Sequence, residues 1–290
     1  MPDWTERITR DTAPSVRAEH ELRYRAVAPL IATSRVWADL GCGSGVAAAV
    51  ALEGRFPEHA VFVDVDEELV AAAAQELGAP DPHELVGDLT DRDDLARVGE
   101  TLRAFDGERI VTCFEVLEHL STFVPLLEWS SALARDGAAT VVISVPNDAF
   151  WSIENPYHET SWGEGAFEEL ERVLPAERTL FRQLSVIGSA LVDWERSPER
   201  HDFSLAVGGE SVVPTHFLAA FGPRHEGLRH AAVAVQQDPL EQRRWERQRD
   251  SNLAVAEALV ARQAVELDEW RRGAGIASGR PDSDPTELQT

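Results

Sequence analysis

Between residues 35 and 147, short apolar runs alternate with stretches of helix formers, and a glycine cluster follows the first run. The runs are 35–40 (RVWADL), 60–65 (AVFVDV), 83–86, 109–114 (RIVTCF) and 139–145 (ATVVISV). Between them lie 46–52 (VAAAVAL), 67–77 (EELVAAAAQEL), 91–105 and 124–134, which read as helices. Runs this short and this rich in β-branched residues suit strands. Strand, helix, strand at this spacing makes right-handed crossovers, so the expected fold is α/β. It is a Rossmann-like, mostly parallel sheet with helices on both faces. Such sheets bind ligands outside the carboxyl ends of their strands.

After residue 147 the rhythm changes. Residues 148–165 read as an aromatic-rich loop, 166–174 as a helix, and 178–183 and 214–221 as two more strands. An irregular insert, 184–213, lies between those strands. From 238 to 272 helix formers dominate, and Leu253, Val260 and Leu267 fall seven apart. Ala256, Gln263 and Trp270 fill the other seam poorly, so any homodimer through this helix is expected to be weak. Packing on the protein's own body is the alternative. The expected organisation is an N-terminal segment 1–14, one domain 15–237 opening with a helix at 15–32, a C-terminal helix 238–272, and a disordered Gly/Ser/Pro/Asp-rich tail 273–290.

Charge narrows the partners. The 290 residues carry 27 Lys+Arg against 51 Asp+Glu, a formal charge of −24, and every one of the 27 is arginine. That balance disfavours phosphate backbones and anionic membranes. Cys42 and Cys113 form neither a metal-cluster spacing nor a disulfide framework, and both read as small buried thiols. No apolar run approaches the roughly 20 residues of a membrane span. The charged N-terminus lacks the apolar stretch of a signal peptide, so a cytoplasmic location is expected.

The sequence Asp39-Leu40-Gly41-Cys42-Gly43-Ser44-Gly45 follows the first strand and opens a helix. Glycines there let the backbone take positive φ and approach a ligand. A dinucleotide fingerprint needs a small residue at 46, where Val46 stands, and that weakens a nicotinamide or flavin reading. Asp39 is placed either to accept from a ligand ammonium or to order the loop. Asp64 ends the second strand, where an acid accepts both hydroxyls of a ribose, with Asp66 as the competing candidate. Gly87-Asp88-Leu89, after the third strand, suits an adenine edge.

Taken together, ADLGCGSG (38–45), FVDVDEEL (62–69), GDL (87–89), FEVLEHL (114–120) and ISVPN (143–147) resemble class I S-adenosylmethionine-dependent methyltransferases. The upstream AEHELRYRAVAPLIA (18–32) and NPYHETSWGEGAFEEL (155–170) are similar to a branch containing ubiquinone-pathway O-methyltransferases and methyltransferases of polysaccharide gene clusters. The resemblance covers roughly residues 15–222. It implies a seven-stranded sheet whose last strand is antiparallel, here 214–221, and S-adenosylmethionine as cofactor. It also implies that Asp39, Gly41, Cys42, Gly43 and Gly45 shape the methionine pocket. Asp64, beside Val65, would hold the ribose, and Asp88 with the Leu89 backbone the adenine. Glu115 would line the cofactor at the end of the fourth strand. His20 and Tyr24 would face the methionine carboxylate.

Methyl transfer is an in-line displacement, so alignment of acceptor and methyl carbon is the main task. A hydroxyl acceptor also needs a base. His119 follows the fourth strand and has the right intrinsic pKa, with Glu118 beside it. Their structural alternative is that Glu118 caps a helix and His119 packs under a loop. Tyr157, His158 and Trp162 are expected to meet the acceptor, stacking on a sugar or planar group, or to order and anchor their loop. Glu115, Glu118, His119 and His158 also resemble the set that binds metal in small-RNA 2′-O-methyltransferases, and two carboxylates with two imidazoles suit a divalent ion. The same string occurs in metal-free methyltransferases, and the charge opposes RNA, so no metal is expected. The expected activity is methyl transfer to a hydroxyl of a small molecule or saccharide, with nitrogen acceptors, the RNA enzyme and a non-catalytic cofactor-binding scaffold as alternatives.

Overall fold

The structure is a computed structural model that describes residues 8–151, 155, 157–184, 213–228, 259–260 and 262–265. The chain divides into two compact units, 1–235 and 236–290. In the second unit the described residues 259–260 and 262–265 are helical and exposed. Most of the expected helix 238–272, its seam residues Leu253 and Leu267, and the tail lie outside the described residues, as does 185–212 of the insert.

The first unit is built on a seven-stranded sheet. In chain order the elements are α1 (Pro14–Thr33), β1 (Val36–Leu40), α2 (Val46–Leu52), β2 (His59–Asp64), α3 (Glu67–Leu77), β3 (Pro82–Val86), α4 (Arg92–Arg103), β4 (Arg109–Phe114), a 3₁₀ turn (Leu117–His119), α5 (Val124–Arg135), β5 (Thr140–Pro146), a short α6 (Asp148–Trp151), α7 (Glu164–Val173), β6 (Arg178–Gln183), β7 (His216–Phe221) and a second 3₁₀ turn (His225–Leu228). The strand order is β3-β2-β1-β4-β5-β7-β6. The first five strands pair in parallel, and β7 runs antiparallel to both β5 and β6. The Rossmann-like fold and the antiparallel strand near 214–221 are therefore as expected.

Central strands are buried on both faces and so read as continuous apolar runs: every residue of β1, β5 and β7 is buried. One core holds Val36, Ala38 and Leu40 of β1 with α4 and α5. The opposite core holds Trp37 with α1, α2 and α3. Helix starts follow capping chemistry. Asp66 accepts from the Glu68 amide to start α3, and Asp91 accepts from the Asp93 and Asp94 amides to start α4.

Most element boundaries shift by a residue or two from those expected, and three differences have a local physical basis. β7 begins at His216 rather than 214, because Pro214 has no N–H to pair; its carbonyl accepts instead from Asn147 Nδ2 at 2.7 Å. The helix expected over 91–105 is Arg92–Arg103, with Asp91 as its cap. The stretch 148–165 contains one helical turn, α6, stitched by Asp148. Among the described residues no helix is long and apolar enough to cross a membrane.

Candidate active site

The carboxyl ends of β1, β2, β3 and β4 deliver Asp39–Gly41, Asp64, Gly87–Asp88 and Glu115 to one side of the sheet. The glycine loop hangs from β2: the Gly41 and Cys42 amides donate to the Val63 carbonyl at 2.8 and 3.1 Å. At Gly45, φ is +73° and an added Cβ would lie 2.9 Å from the Ala73 Cα of α3. Only glycine permits that turn and that helix approach together. Gly43 faces the other way, since an added Cβ there would meet no atom within 4 Å. Its bare backbone borders the open space at the strand ends, a cradle that fits a ligand lying against the main chain.

Asp64 and Asp66, rivals from sequence, divide the work. Asp64 accepts from the Gly43 amide through Oδ2 at 3.0 Å and from the Asp66 amide through Oδ1 at 3.2 Å. It therefore stands beside the glycine cradle, while Asp66 caps α3. Val65 is exposed next to it. Asp88 is exposed and folds onto Thr90, accepting from its amide and hydroxyl at 2.8 and 2.7 Å, and Leu89 is buried behind it. Cys42 is buried, and burial pushes its thiol up.

Asp39 is wholly buried. It accepts from the Tyr24 hydroxyl at 2.9 Å and from the Thr112 hydroxyl at 2.6 Å. Burial outweighs those two bonds, and a contribution from Asp64 adds to it, so the carboxyl is raised to about 7. Asp39 thus ties α1 to β1 and β4, which is the loop-ordering alternative. Tyr24 packs edge-on against Phe114 and Trp37 as it does so.

Beside this lies a buried polar cluster whose central member the sequence reading missed. Arg23 of α1 is 1% exposed, donates to Gln183 Oε1 of β6 at 3.1 Å and to His20 Nδ1 at 2.9 Å, and lies 3.9 Å from Glu115. His216 of β7 sits 3.1 Å from the same Glu115 oxygen, and the Ser144 hydroxyl donates to the other at 2.7 Å. Burial works to raise the Glu115 carboxyl, but Arg23 and His216 overcome it and hold the group well below the usual carboxylate range. Burial, then Arg23, lowers His20 to about 3, so His20 is neutral and accepts. Glu115 also holds φ at +56°, a left-handed value rare for a side chain of its size. The signal was present in α1: His20, Arg23, Tyr24, Val27 and Ile31 fall on one face at helical spacing, so Arg23 shares the buried stripe. No such signal marks His216.

The 3₁₀ turn after β4 carries Glu118 and His119. Glu118 is 1% exposed, and its Oε2 has no hydrogen-bond partner among the described residues. Burial, reinforced by Glu115, pushes its carboxyl well above the usual range. It caps no helix: Phe123 precedes α5, and the Glu118 carbonyl accepts from the Glu159 and Thr160 amides. His119 Nδ1 meets the Tyr157 carbonyl at 3.1 Å. A carbonyl only accepts, so the neutral ring is protonated on Nδ1 and keeps its lone pair on Nε2. His158 Nδ1 likewise faces Asp148 Oδ1 at 2.8 Å, and the two rings stand edge to face, 5.1 Å apart. Asp148 also accepts from the Trp162 amide at 2.6 Å, which makes it the orienter of this loop. Tyr157 is exposed. Trp162 is 3% exposed and packs on Phe123, so it takes the anchor alternative rather than offering a stacking face.

The sequence family described as Methyltransferase domain matches residues 16–189. Among curated proteins nothing matches. Many solved structures are similar, three of them as follows. The methyltransferase domain of bacterial CtHen1-CN is 19% identical, with 71% of this chain and 100% of that chain covered and a TM-score of 0.47. The N-methyltransferase NodS from Bradyrhizobium japonicum is 14% identical over 73% of this chain and 98% of its own, with a TM-score of 0.40. The plantazolicin methyltransferase BpumL, in complex with SAH, is 13% identical over 73% and 86%, with a TM-score of 0.43.

Proposed function

The chain belongs to the methyltransferase-domain family, and on that premise we propose that it transfers a methyl group from S-adenosylmethionine to a hydroxyl of a small molecule or saccharide. The observation that carries the cofactor assignment is Asp64 held beside the open Gly43 backbone, at the end of β2. An acid in that position accepts from ribose hydroxyls, and the glycine loop accommodates the chain of the cofactor without a side chain in the way. Asp88, with buried Leu89 behind it, receives the adenine. When bound, the cofactor supplies an electrophilic methyl on a sulfonium.

His119 serves as the general base. Its Tyr157 contact fixes Nε2 as the basic nitrogen, and this nitrogen takes the proton from the acceptor hydroxyl; the cofactor would supply the methyl group and leave as S-adenosylhomocysteine. Glu118, buried, holds the acceptor loop through its carbonyl. Tyr157 and His158 meet the acceptor from that loop. The acidic body matches neutral acceptors better than polyanionic ones.

A second reading, metal-assisted methylation of a small RNA, draws on one observation: ligand atoms of Glu118, His119 and His158 all lie within 4.8 Å of one another. The orphaned Glu118 Oε2 fits a cation, but the −24 charge opposes the substrate.

The test is incorporation of labelled methyl into a panel of hydroxylated small molecules, nucleotide sugars and a short RNA, with and without chelator. The first reading expects chelator-resistant labelling of a non-RNA acceptor. His119→Ala should lower that turnover by about 10²–10⁴-fold while S-adenosylhomocysteine affinity holds. Chelator-sensitive labelling of RNA alone would replace it with the second. Calorimetry that finds NAD binding and no response to S-adenosylhomocysteine would overturn both.

A further inference from the structure

Across the sheet from the strand ends that form the active site, His59 opens β2, and Asp81 and His83 flank the start of β3. We infer that these three side chains form a binding site for a borderline divalent transition metal of the Zn²⁺ class, separate from the methyl-transfer site. β2 spans His59 to Asp64, so the cluster lies about 17 Å from the ribose acid by strand rise alone. The inference is therefore independent of the proposed activity.

The geometry converges on one point. His59 Nδ1 lies 2.7 Å, and His83 Nε2 3.1 Å, from the same oxygen, Asp81 Oδ2, and the three ligand atoms all fall within 4.8 Å of one another. Tetrahedral zinc with bonds of about 2.0–2.1 Å spaces its ligands about 3.4 Å apart, so side-chain shifts of under about 1 Å would admit the ion. The backbone that carries the ligands is fixed. Ala60 N–H donates to the Asp81 carbonyl, and Val61 pairs with His83 across the parallel ladder.

The surroundings also suit a metal ligand set. A ligating imidazole usually directs its second nitrogen at a carboxylate. His59 Nε2 faces Glu58 Oε1 at 3.6 Å, and Arg35 Nε holds Glu58 at 3.0 Å. Phe105 backs both rings, stacked on His59 at 3.9 Å and tilted to His83 at 4.9 Å. Asp81 and His83 are 52% and 32% exposed, which leaves room for water as the fourth ligand. Two imidazoles and one carboxylate match zinc and its neighbours. Calcium and magnesium take oxygen shells, which this set does not supply. The acidic body further concentrates cations at its surface.

The experiment is zinc titration by calorimetry on the tag-free, chelator-stripped full chain, repeated on His83→Gln, Asp81→Asn and His158→Gln, with circular dichroism as the folding check. Cobalt substitution, read from its visible d–d bands, reports the coordination. Expected is one equivalent bound in the micromolar range. It should be weakened at least about tenfold in both His83→Gln and Asp81→Asn, with the cobalt bands lost, and be unaffected by His158→Gln. A further equivalent lost only in His158→Gln would belong to the other histidine pair and leave this result standing. Should His83→Gln fail to fold, Asp81→Asn decides, because Asp81 precedes the strand and is half exposed. No micromolar binding, or binding indifferent to both His83→Gln and Asp81→Asn, overturns the site.

Discussion

Replacing Arg23 with methionine keeps most of its aliphatic packing and removes its charge from a cluster that is almost dry. The guanidinium is 1% exposed and bonds Gln183 and His20, with Glu115 at 3.9 Å. Removing one partner of a buried charge pair costs roughly 3–5 kcal/mol, because the other charge stays buried without it. Here His216 remains on Glu115 at 3.1 Å, which places the expected loss at the lower end, about 3 kcal/mol. For a domain of this size that is a fall in Tm of roughly 6–12 °C. The pH dependence carries a second signature. Glu115 is held well below its unfolded pKa of about 4.3. Its contribution is thus present above that value and lost as pH falls through the folded pKa. Without Arg23, burial of Glu115 is opposed mainly by His216, the folded pKa rises, and the acid limb of unfolding starts at higher pH. Urea melts across pH 3–8 on wild type, Arg23→Met, Glu115→Gln and the double variant provide the cycle. A loss below about 1 kcal/mol with an unmoved acid limb would refute the reasoning.

Three other outcomes are expected. Asp64→Ala should weaken S-adenosylhomocysteine binding by about 1.5–3 kcal/mol, whereas Asp66→Ala should spare affinity and cost about 1 kcal/mol of stability as a lost helix cap; calorimetry and urea melts on both separate the roles, and equal affinity losses would mean the ribose acid is wrongly assigned. Gly45→Ala should destabilise the domain by at least about 1 kcal/mol, since it combines a strained positive φ with a Cβ pressed on Ala73; an unchanged melting curve would contradict the close α2–α3 approach. A chain truncated after Pro239 should keep its melting transition and cofactor affinity, with analytical ultracentrifugation reporting any change in mass; loss of either would place the C-terminal residues in the domain's core.

What was legible in the sequence was local. β1 and β5 announced themselves as uninterrupted apolar runs, because strands covered on both faces have no polar side to show. The glycine loop was legible because its backbone conformation restricts residue type. The choice between Asp64 and Asp66 was not, since a strand-end acid and a helix-capping acid two residues apart look alike until the amides they accept from are known. The Arg23–Glu115–His216 cluster was hidden for a different reason. Its members come from α1, the residue after β4, and β7, and nothing in the spacing of residues 23, 115 and 216 records that the sheet closes them together. Asp148 read as loop, yet it fixes His158 and Trp162 across the turn. Trp162 misled in the opposite direction, because an aromatic on a loop gives no sign of whether its ring turns outward or into the core.

The position of β7 bears on how the chain is made. Among the described residues it is the last strand in sequence, yet it lies between β5 and β6. A nascent chain emerging from the ribosome can lay down β1 through β5 in turn, each new strand finding a neighbour already present. β6 then appears with no place to dock, because the strand that joins it to the sheet has not been synthesised. At roughly 5–20 residues per second, the ~40 residues from β6 to the end of β7 take about 2–8 s to translate. Throughout that interval β5 has an open edge of unpaired backbone groups and β6 is an orphan, both of them templates for pairing with other chains. Arrival of His216–Phe221 closes both at once, so vectorial synthesis leaves this domain most exposed to misassembly just before its sheet is complete.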